Sequence, residues 1–294
     1  MPRPGQVPSQ GGGRTAVTQT TMRSTGLAIA ILTGAIVTVG WLSGLAEDDS
    51  PAPPRAATAE AAPDAGGAAR IQPDDAASVA ALEKLKVRLV RGWRGEVQQV
   101  DANGSSITDD DLALLAGLHS MESLKIEHIG ITDAGLAHLS RLQQLKRLYL
   151  NDVKVTDRGL RELAGLKGLE VLSLQDTKVK GPGLAQLKGL QKLRVLNLGL
   201  CAIGNDALAY VEPLAALETL ALQQTQVTDD GIAHLSELSR LVVLNLETCK
   251  VTAKCFEHLS DLRNLRIIQM KDCEVSAEEI DNFKKKMPGL AIFK

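Results

Sequence analysis

From residue 97 onward the apolar positions of the chain keep one step. Leu124, Leu148, Leu172, Leu196, Leu220, Leu244 and Ile268 are spaced 24 apart (148 − 124 = 24). Ile126, Leu150, Leu174, Leu198, Leu222, Leu246 and Met270 follow two residues later with the same step. Two further columns stay in register without an insertion. One is Ile107, Ile131, Val155, Val179, Ile203, Val227, Val251 and Val275; the other is Leu115, Leu139, Leu163, Leu187, Val211, Leu235, Leu259 and Phe283. In each unit the first apolar residues alternate with period 2, as on a half-buried strand. The later ones recur three apart, as on a short helix. Eight such units predict a solenoid in which each unit covers the core of the next.

The unit reads L-x-x-L-x-L-x-x-(T/C/V)-x-(V/I)-T-D-x-G-L-x-x-L-x-x-L. It resembles the leucine-rich repeat family. That resemblance implies an α/β solenoid, a right-handed horseshoe with a parallel concave β-sheet and short convex helices. The T-D-x-G-L form is similar to the cysteine-containing repeats of F-box ubiquitin-ligase receptors. It is also similar to repeats of large exported bacterial proteins.

The hexamer "VTDRGL" at 155–160, with its relatives at 107, 131 and 227, has the look of a chemical motif. Its columns argue for punctuation instead. The Asp column holds Asp109, Asp133, Asp157, Gly181, Asn205, Asp229, Ala253 and Ala277. The Thr column holds Thr108, Thr132, Thr156, Lys180, Gly204, Thr228, Thr252 and Ser276. These are mostly residues that cap helix N-termini, so both columns are read as caps. The glycine column admits Asp111, Ala207, Cys255 and Glu279, which argues against a required positive φ and for a close approach to the neighbouring turn. A calcium site is disfavoured because no EF-hand or RTX-type spacing is present.

Solenoid ends need covers. The stretch 74–90 reads as an amphipathic cap helix carrying Leu82, Leu85 and Leu89, followed by a turn and a first strand with Val97 and Val100. At the far end Ser276 and Glu279 form a capping box, the helix runs to Lys284-Lys285-Lys286, and "GLAIF" closes the sheet edge. The boundaries are therefore 73–96 for the N-terminal cap helix and turn, and 97–294 for the array of eight repeats with its C-terminal cap.

The pattern before residue 73 is different. Residues 1–23 hold Arg3, Arg14 and Arg23 without an acid and read as a disordered basic tail. Residues 24–46 carry no charge, and a helix of that length spans a bilayer core. Arginines precede it while Glu47, Asp48 and Asp49 follow, so the repeats are expected on the exported side. Trp41 falls near its outer end. The segment is a transmembrane anchor or, with Gly44-Leu45-Ala46 as a cleavage site, a signal sequence. Residues 47–72 form an Ala/Pro-rich linker.

A formal charge of −2 gives no footprint for nucleic acid. Aromatics at 2 % leave the core to aliphatic residues. Cys201, Cys249, Cys255 and Cys273 form no C-x-x-C pair. Cys201, Cys249 and Cys273 share an inward slot, where buried free thiols are expected. His138, His234 and His258 share an exposed helix slot, and His234 with His258 lacks a third metal ligand. No P-loop, H-E-x-x-H or G-x-S-x-G motif occurs, so no catalytic, cofactor or metal residues are assigned.

Candidate binding residues are those between the core leucines on the strands: Arg147, Tyr149, Val171, Ser173, Val195, Asn197, Gln223, Val243, Asn245, Glu247, Ile267 and Gln269. They form an apolar stripe beside an amide-rich one. With strands about 4.8 Å apart, the sheet is on the order of 35 Å long, enough for a protein or peptide. Tyr149 is the one aromatic among them and the expected hot spot. The expectation is a non-catalytic protein- or peptide-binding scaffold at the cell envelope, membrane-anchored through 24–46 or secreted after cleavage. The rivals are an intracellular adaptor like the F-box type and a self-associating envelope protein.

Overall fold

The computed structural model describes residues 72–294. The predicted tail, the membrane segment 24–46 and residues 47–71 of the linker lie outside the described residues. Among the described residues no helix is long and apolar enough to cross a membrane.

A single sheet of ten strands runs through the domain in sequence order. The strands are β1 (Arg88–Arg91), β2 (Val97–Asp101), β3 (Ser123–Lys125), β4 (Arg147–Tyr149), β5 (Val171–Ser173), β6 (Val195–Asn197), β7 (Thr219–Ala221), β8 (Val243–Asn245), β9 (Ile267–Gln269) and β10 (Ala291–Phe293). From β2 to β10 every neighbouring pair is parallel. The register matches the sequence columns: Leu124 pairs with Leu148, Leu148 with Leu172, Leu172 with Leu196. In-register stacking is the arrangement that puts every core leucine against its equivalents above and below. All of these leucines are buried, in one continuous aliphatic core.

The return segments are short helices of one to three turns, many of them 3-10, such as Pro182–Gly189 and Gly159–Leu163. A 24-residue unit leaves room for little more. A row of non-glycine residues with positive φ turns the chain out of each strand: His128, Asp152, Asp176, Leu200, Gln224, Thr248 and Asp272. The backbone N–H of each of the first six donates to a carbonyl of the next rung, for example Asp152 to Gln175 and Gln224 to Glu247. That recurring bond holds a conformation that costs an L-residue on the order of 1 kcal/mol.

Both ends are closed. Ser276 and Glu279 form the expected capping box of the helix Ala277–Lys286, and β10 adds to β9. The N-terminal end departs from expectation. Its helix covers Ala76–Lys84, capped by Asp75, and stops there instead of reaching Val90. Lys86 has φ 63 and breaks the helix. Residues 88–91 form β1, antiparallel to β2. Leu85, Val87 and Leu89 alternate, which is a strand pattern, and pairing with β2 overrides helix propensity.

Candidate functional site

The T-D-x-G column comes first, because its chemistry turns inward. Each Asp reaches across to the following rung instead of capping its own helix. Asp109 accepts the Thr132 backbone N–H at 2.8 Å and the Thr132 hydroxyl at 2.5 Å. Asp133 does the same for Thr156 at 2.7 and 2.6 Å, and Asp229 for Thr252 at 2.8 and 2.7 Å. Asn205 accepts from the Thr228 N–H and donates its Nδ2 to the Thr228 hydroxyl. The threonines behave as expected in part: Thr132, Thr156 and Thr252 also accept from a backbone N–H of their own turn. The reading of Asp as an own-helix cap is thus corrected. A carboxylate placed between rungs takes both donors from one threonine of the next repeat and so ties the two repeats together.

This arrangement leaves little room beside the carboxylate or amide and accounts for four of the glycines, although Cys255 stands in the same slot next to Asp229. None of Gly135, Gly159, Gly183 and Gly231 has positive φ. A Cβ on Gly135 would lie 2.5 Å from an Asp109 carboxylate oxygen, and one on Gly231 2.5 Å from Asn205 Oδ1. Where the preceding slot is Gly181, the next rung carries Ala207. At the two ends, an acid in the glycine slot bonds the Thr or Ser of its own repeat. Asp111 accepts from Thr108, and Glu279 from Ser276. The hexamer is therefore a staple between rungs. Among the described residues no cluster of three metal-binding side chains exists.

The inward thiols fill the slot beneath the turn. Cys201 Sγ donates to Leu174 O at 3.1 Å, Cys249 to Leu222 O at 3.0 Å and Cys273 to Leu246 O at 3.0 Å. Thr177 and Thr225 bond the first two of those carbonyls from the rung before. All four cysteines are free and buried. Burial pushes Cys255 up to about 12 and Cys273 up to about 11, so both stay protonated and unreactive at neutral pH. His234 faces Glu212, with Nδ1 3.6 Å from Oε2.

The concave columns do assemble as the spacing predicts. Arg147, Val171, Val195, Thr219, Val243 and Ile267 are direct register partners, as are Tyr149, Ser173, Asn197, Ala221, Asn245 and Gln269. The face is more closed than alternation alone suggests. Val171 and Val243 are each only 7 % exposed, and Ser173 is buried too. Val195, Ile267, Arg147, Tyr149, Asn197, Gln223, Asn245, Glu247 and Gln269 are half-buried. Identical columns one rung apart screen one another. Burial raises the Tyr149 phenol above its ordinary range, against the lowering effect of Arg147.

The third column, Glu127, Asn151, Gln175, Gly199, Gln223, Glu247 and Lys271, divides the face. Asn103 donates to Glu127, and Lys125 lies 2.8 Å from the same carboxylate. Asn151 donates to Glu127 and accepts from the Ser173 hydroxyl. Asn197 Nδ2 donates to Gln175 Oε1 at 3.0 Å. With the Gln175 backbone N–H donating to Asn151 Oδ1 at 3.2 Å, this chain of bonds crosses five rungs from Asn103 to Asn197. Beyond it the pattern stops. The side-chain oxygens of Gln223 and Gln269 are buried and accept no hydrogen bond from the described residues. Gln223 lies across Gly199, where a Cβ would collide with its amide.

A family model described as Leucine Rich repeat matches residues 189–210. No curated protein is similar enough in sequence to match the chain. Among solved structures, internalin C2 from Listeria monocytogenes is 24 % identical with TM-score 0.55, over 76 % of this chain and 93 % of that one. A leucine-rich repeat protein from Leptospira interrogans is 20 % identical with TM-score 0.49, over 62 % of this chain and 45 % of that one. Internalin C2 and this domain share a fold. The 24-residue register, the parallel sheet closed by two caps and the repeat match at 189–210 lead to one conclusion: this domain has the leucine-rich repeat fold.

Proposed function

We propose that this protein is a non-catalytic scaffold that binds a protein or peptide on the concave sheet. One observation carries the reading. Gln223 and Gln269 hold buried carbonyl oxygens with no partner among the described residues, on the sheet face whose first column includes Val243 and Ile267. A buried acceptor without a donor costs about 1–3 kcal/mol, and turning either amide outward to meet an arriving backbone N–H would remove that cost. Asn245, between them on the same face, has its oxygen bonded to the Glu247 N–H. Tyr149 and Arg147 extend the surface toward the first end.

The charge pattern around residues 24–46 supports presentation on the exported side of a membrane, by an anchor or after signal cleavage. In that setting the repeats recognise partners at the cell envelope. Capture from membrane extracts with wild-type protein and with Tyr149→Ala/Val195→Asp tests the binding face. A specifically retained partner should be lost in the variant; equal retention would refute the concave reading. Protease mapping of a C-terminal tag tests location. Protection of the tag in intact cells would replace the envelope reading with the intracellular adaptor.

A further inference from the structure

The N-terminal end of the solenoid carries an unusual surface. Residues 84–94 read KLKVRLVRGWR, with five cations and no acid. Lys84, Lys86, Arg88, Arg91 and Arg94 are all exposed. At the tip of the β1–β2 hairpin, Trp93 is 83 % exposed, the most open large apolar side chain among the described residues. The Arg94 guanidinium sits 4.3 Å from the centre of its ring. The turn is held rigidly: Gly92 N donates to Glu96 O at 2.7 Å, and Gly95 N to Gly92 O at 3.0 Å. Gly95 takes φ 87, which the turn requires.

The nearby acids are largely committed. Glu83 pairs with Arg91 at 3.2 Å. Glu96 is buried and accepts from the Arg94 N–H and from Gln98. Asp101, opposite Arg88 in register, accepts from the Asn103 N–H. Lys84, Lys86 and Arg88 form no ion pair among the described residues.

We infer that this hairpin is a docking element for an anionic lipid surface, with Trp93 entering the headgroup layer and the cations meeting lipid phosphates. Trp is the side chain best suited to a membrane–water interface, apolar in body and polar at one edge. The chain holds two tryptophans, Trp41 at the outer end of the predicted membrane segment and Trp93 here. The linker joins the domain at the same end: Pro73 and Asp74 line one shallow cleft with Arg91 and Arg94. Fully extended, residues 47–72 span at most about 90 Å, so an anchored domain never leaves the vicinity of its own membrane. Docking this end would fix how the concave face is presented.

The inference rests on the membrane reading of residues 24–46, and the test separates the two. Full-length Trp41→Phe protein, with Trp93 as sole tryptophan, is reconstituted with phosphatidylcholine vesicles with or without phosphatidylglycerol. Co-sedimentation with neutral vesicles reports the apolar segment. Quenching of Trp93 by brominated lipid reports the hairpin. The expected result is quenching that needs phosphatidylglycerol and fades at high salt. Lys84→Gln with Arg88→Gln should lower the docked-to-undocked ratio roughly thirtyfold, about fivefold per charge. Vesicle-bound protein whose Trp93 stays unquenched would overturn the proposal, as would quenching indifferent to lipid charge. An emission shift with single-stranded oligonucleotide, and none with anionic vesicles, would overturn it in favour of nucleic acid. Protein that ignores neutral vesicles yet shows quenching by anionic ones would refute the anchor and uphold the hairpin.

Discussion

The two halves of the concave sheet share a backbone, a register and a residue class, yet treat their polar side chains differently. Between β2 and β6, Asn103, Glu127, Asn151, Ser173, Gln175 and Asn197 are linked in one run of hydrogen bonds, through the backbone N–H at Gln175. From β7 to β9, Gln223 and Gln269 have carbonyl oxygens with no donor among the described residues. The first half is a finished network that stiffens the array. The second half keeps polar atoms unspent. Amides on a sheet are thus neither sticky nor inert by type; what decides is whether the adjacent rung supplies the complementary atom.

The contrast can be broken most forcefully at Glu127. Glu127→Ala strands Asn103, Asn151 and Lys125 at once and should cost about 3 kcal/mol. Glu247→Ala, in the same column of the open half, should stay within about 0.5 kcal/mol. Urea unfolding of both variants measures the gap, and equal losses would erase the distinction. A control comes next. The inter-rung staple runs through both halves alike, so Gly135→Ala and Gly231→Ala should each cost about 2 kcal/mol by overpacking. A marked inequality between them would mean that the halves differ in the scaffold itself.

The contrast sharpens on replacing the orphan acceptors. Gln223→Leu with Gln269→Leu should leave stability unchanged or raise it by up to about 1 kcal/mol. Partner affinity should fall at least about tenfold, close to 1.4 kcal/mol. Calorimetry with a captured partner would decide; retained affinity would move the site elsewhere. Acid provides the smallest effect, read at the two ends. The Ser78 and Ser276 side-chain hydrogen bonds hold the Asp75 and Glu279 carboxyls below their ordinary values. A depressed folded pKa gives stability that is present above the unfolded value and lost as pH falls through the folded one. Amides at both caps should therefore lose exchange protection below roughly pH 4 while the central rungs hold. Caps that outlast the centre on acidification would contradict this.

Much of the fold was legible because a repeat is its own control. The strand columns, the capping box at Ser276 and the closing strand at "GLAIF" all follow from period and pairing chemistry. Three features were not. The row from His128 to Asp272 shares a backbone angle and no side-chain type, so it leaves no trace in composition. β1 was hidden because "KLKVRLVR" satisfies a helix and a strand, and only its partner decides. The Asp staple was half visible. Its glycine partner stands 26 residues later (135 − 109 = 26), across a repeat boundary, and columns compared one at a time cannot show a dependence between columns. The candidate site was legible as a face and illegible as an energy map, since alternation does not reveal which amides find partners.

That 26-residue dependence bears on how such a gene could lengthen or shorten. Unequal crossing-over that removed residues 132–155 would set Asp109 over Gly159, a junction of the kind already present. Removal of residues 180–203 would set Asp157 over Ala207, with a methyl group where the carboxylate needs space. Both products keep the 24-residue rhythm; the second must also accommodate a side chain in the glycine slot, as the Asp229–Cys255 seam already does. The heritable module is therefore the seam between two repeats, and the order of the units is constrained by pairwise compatibility as well as by count.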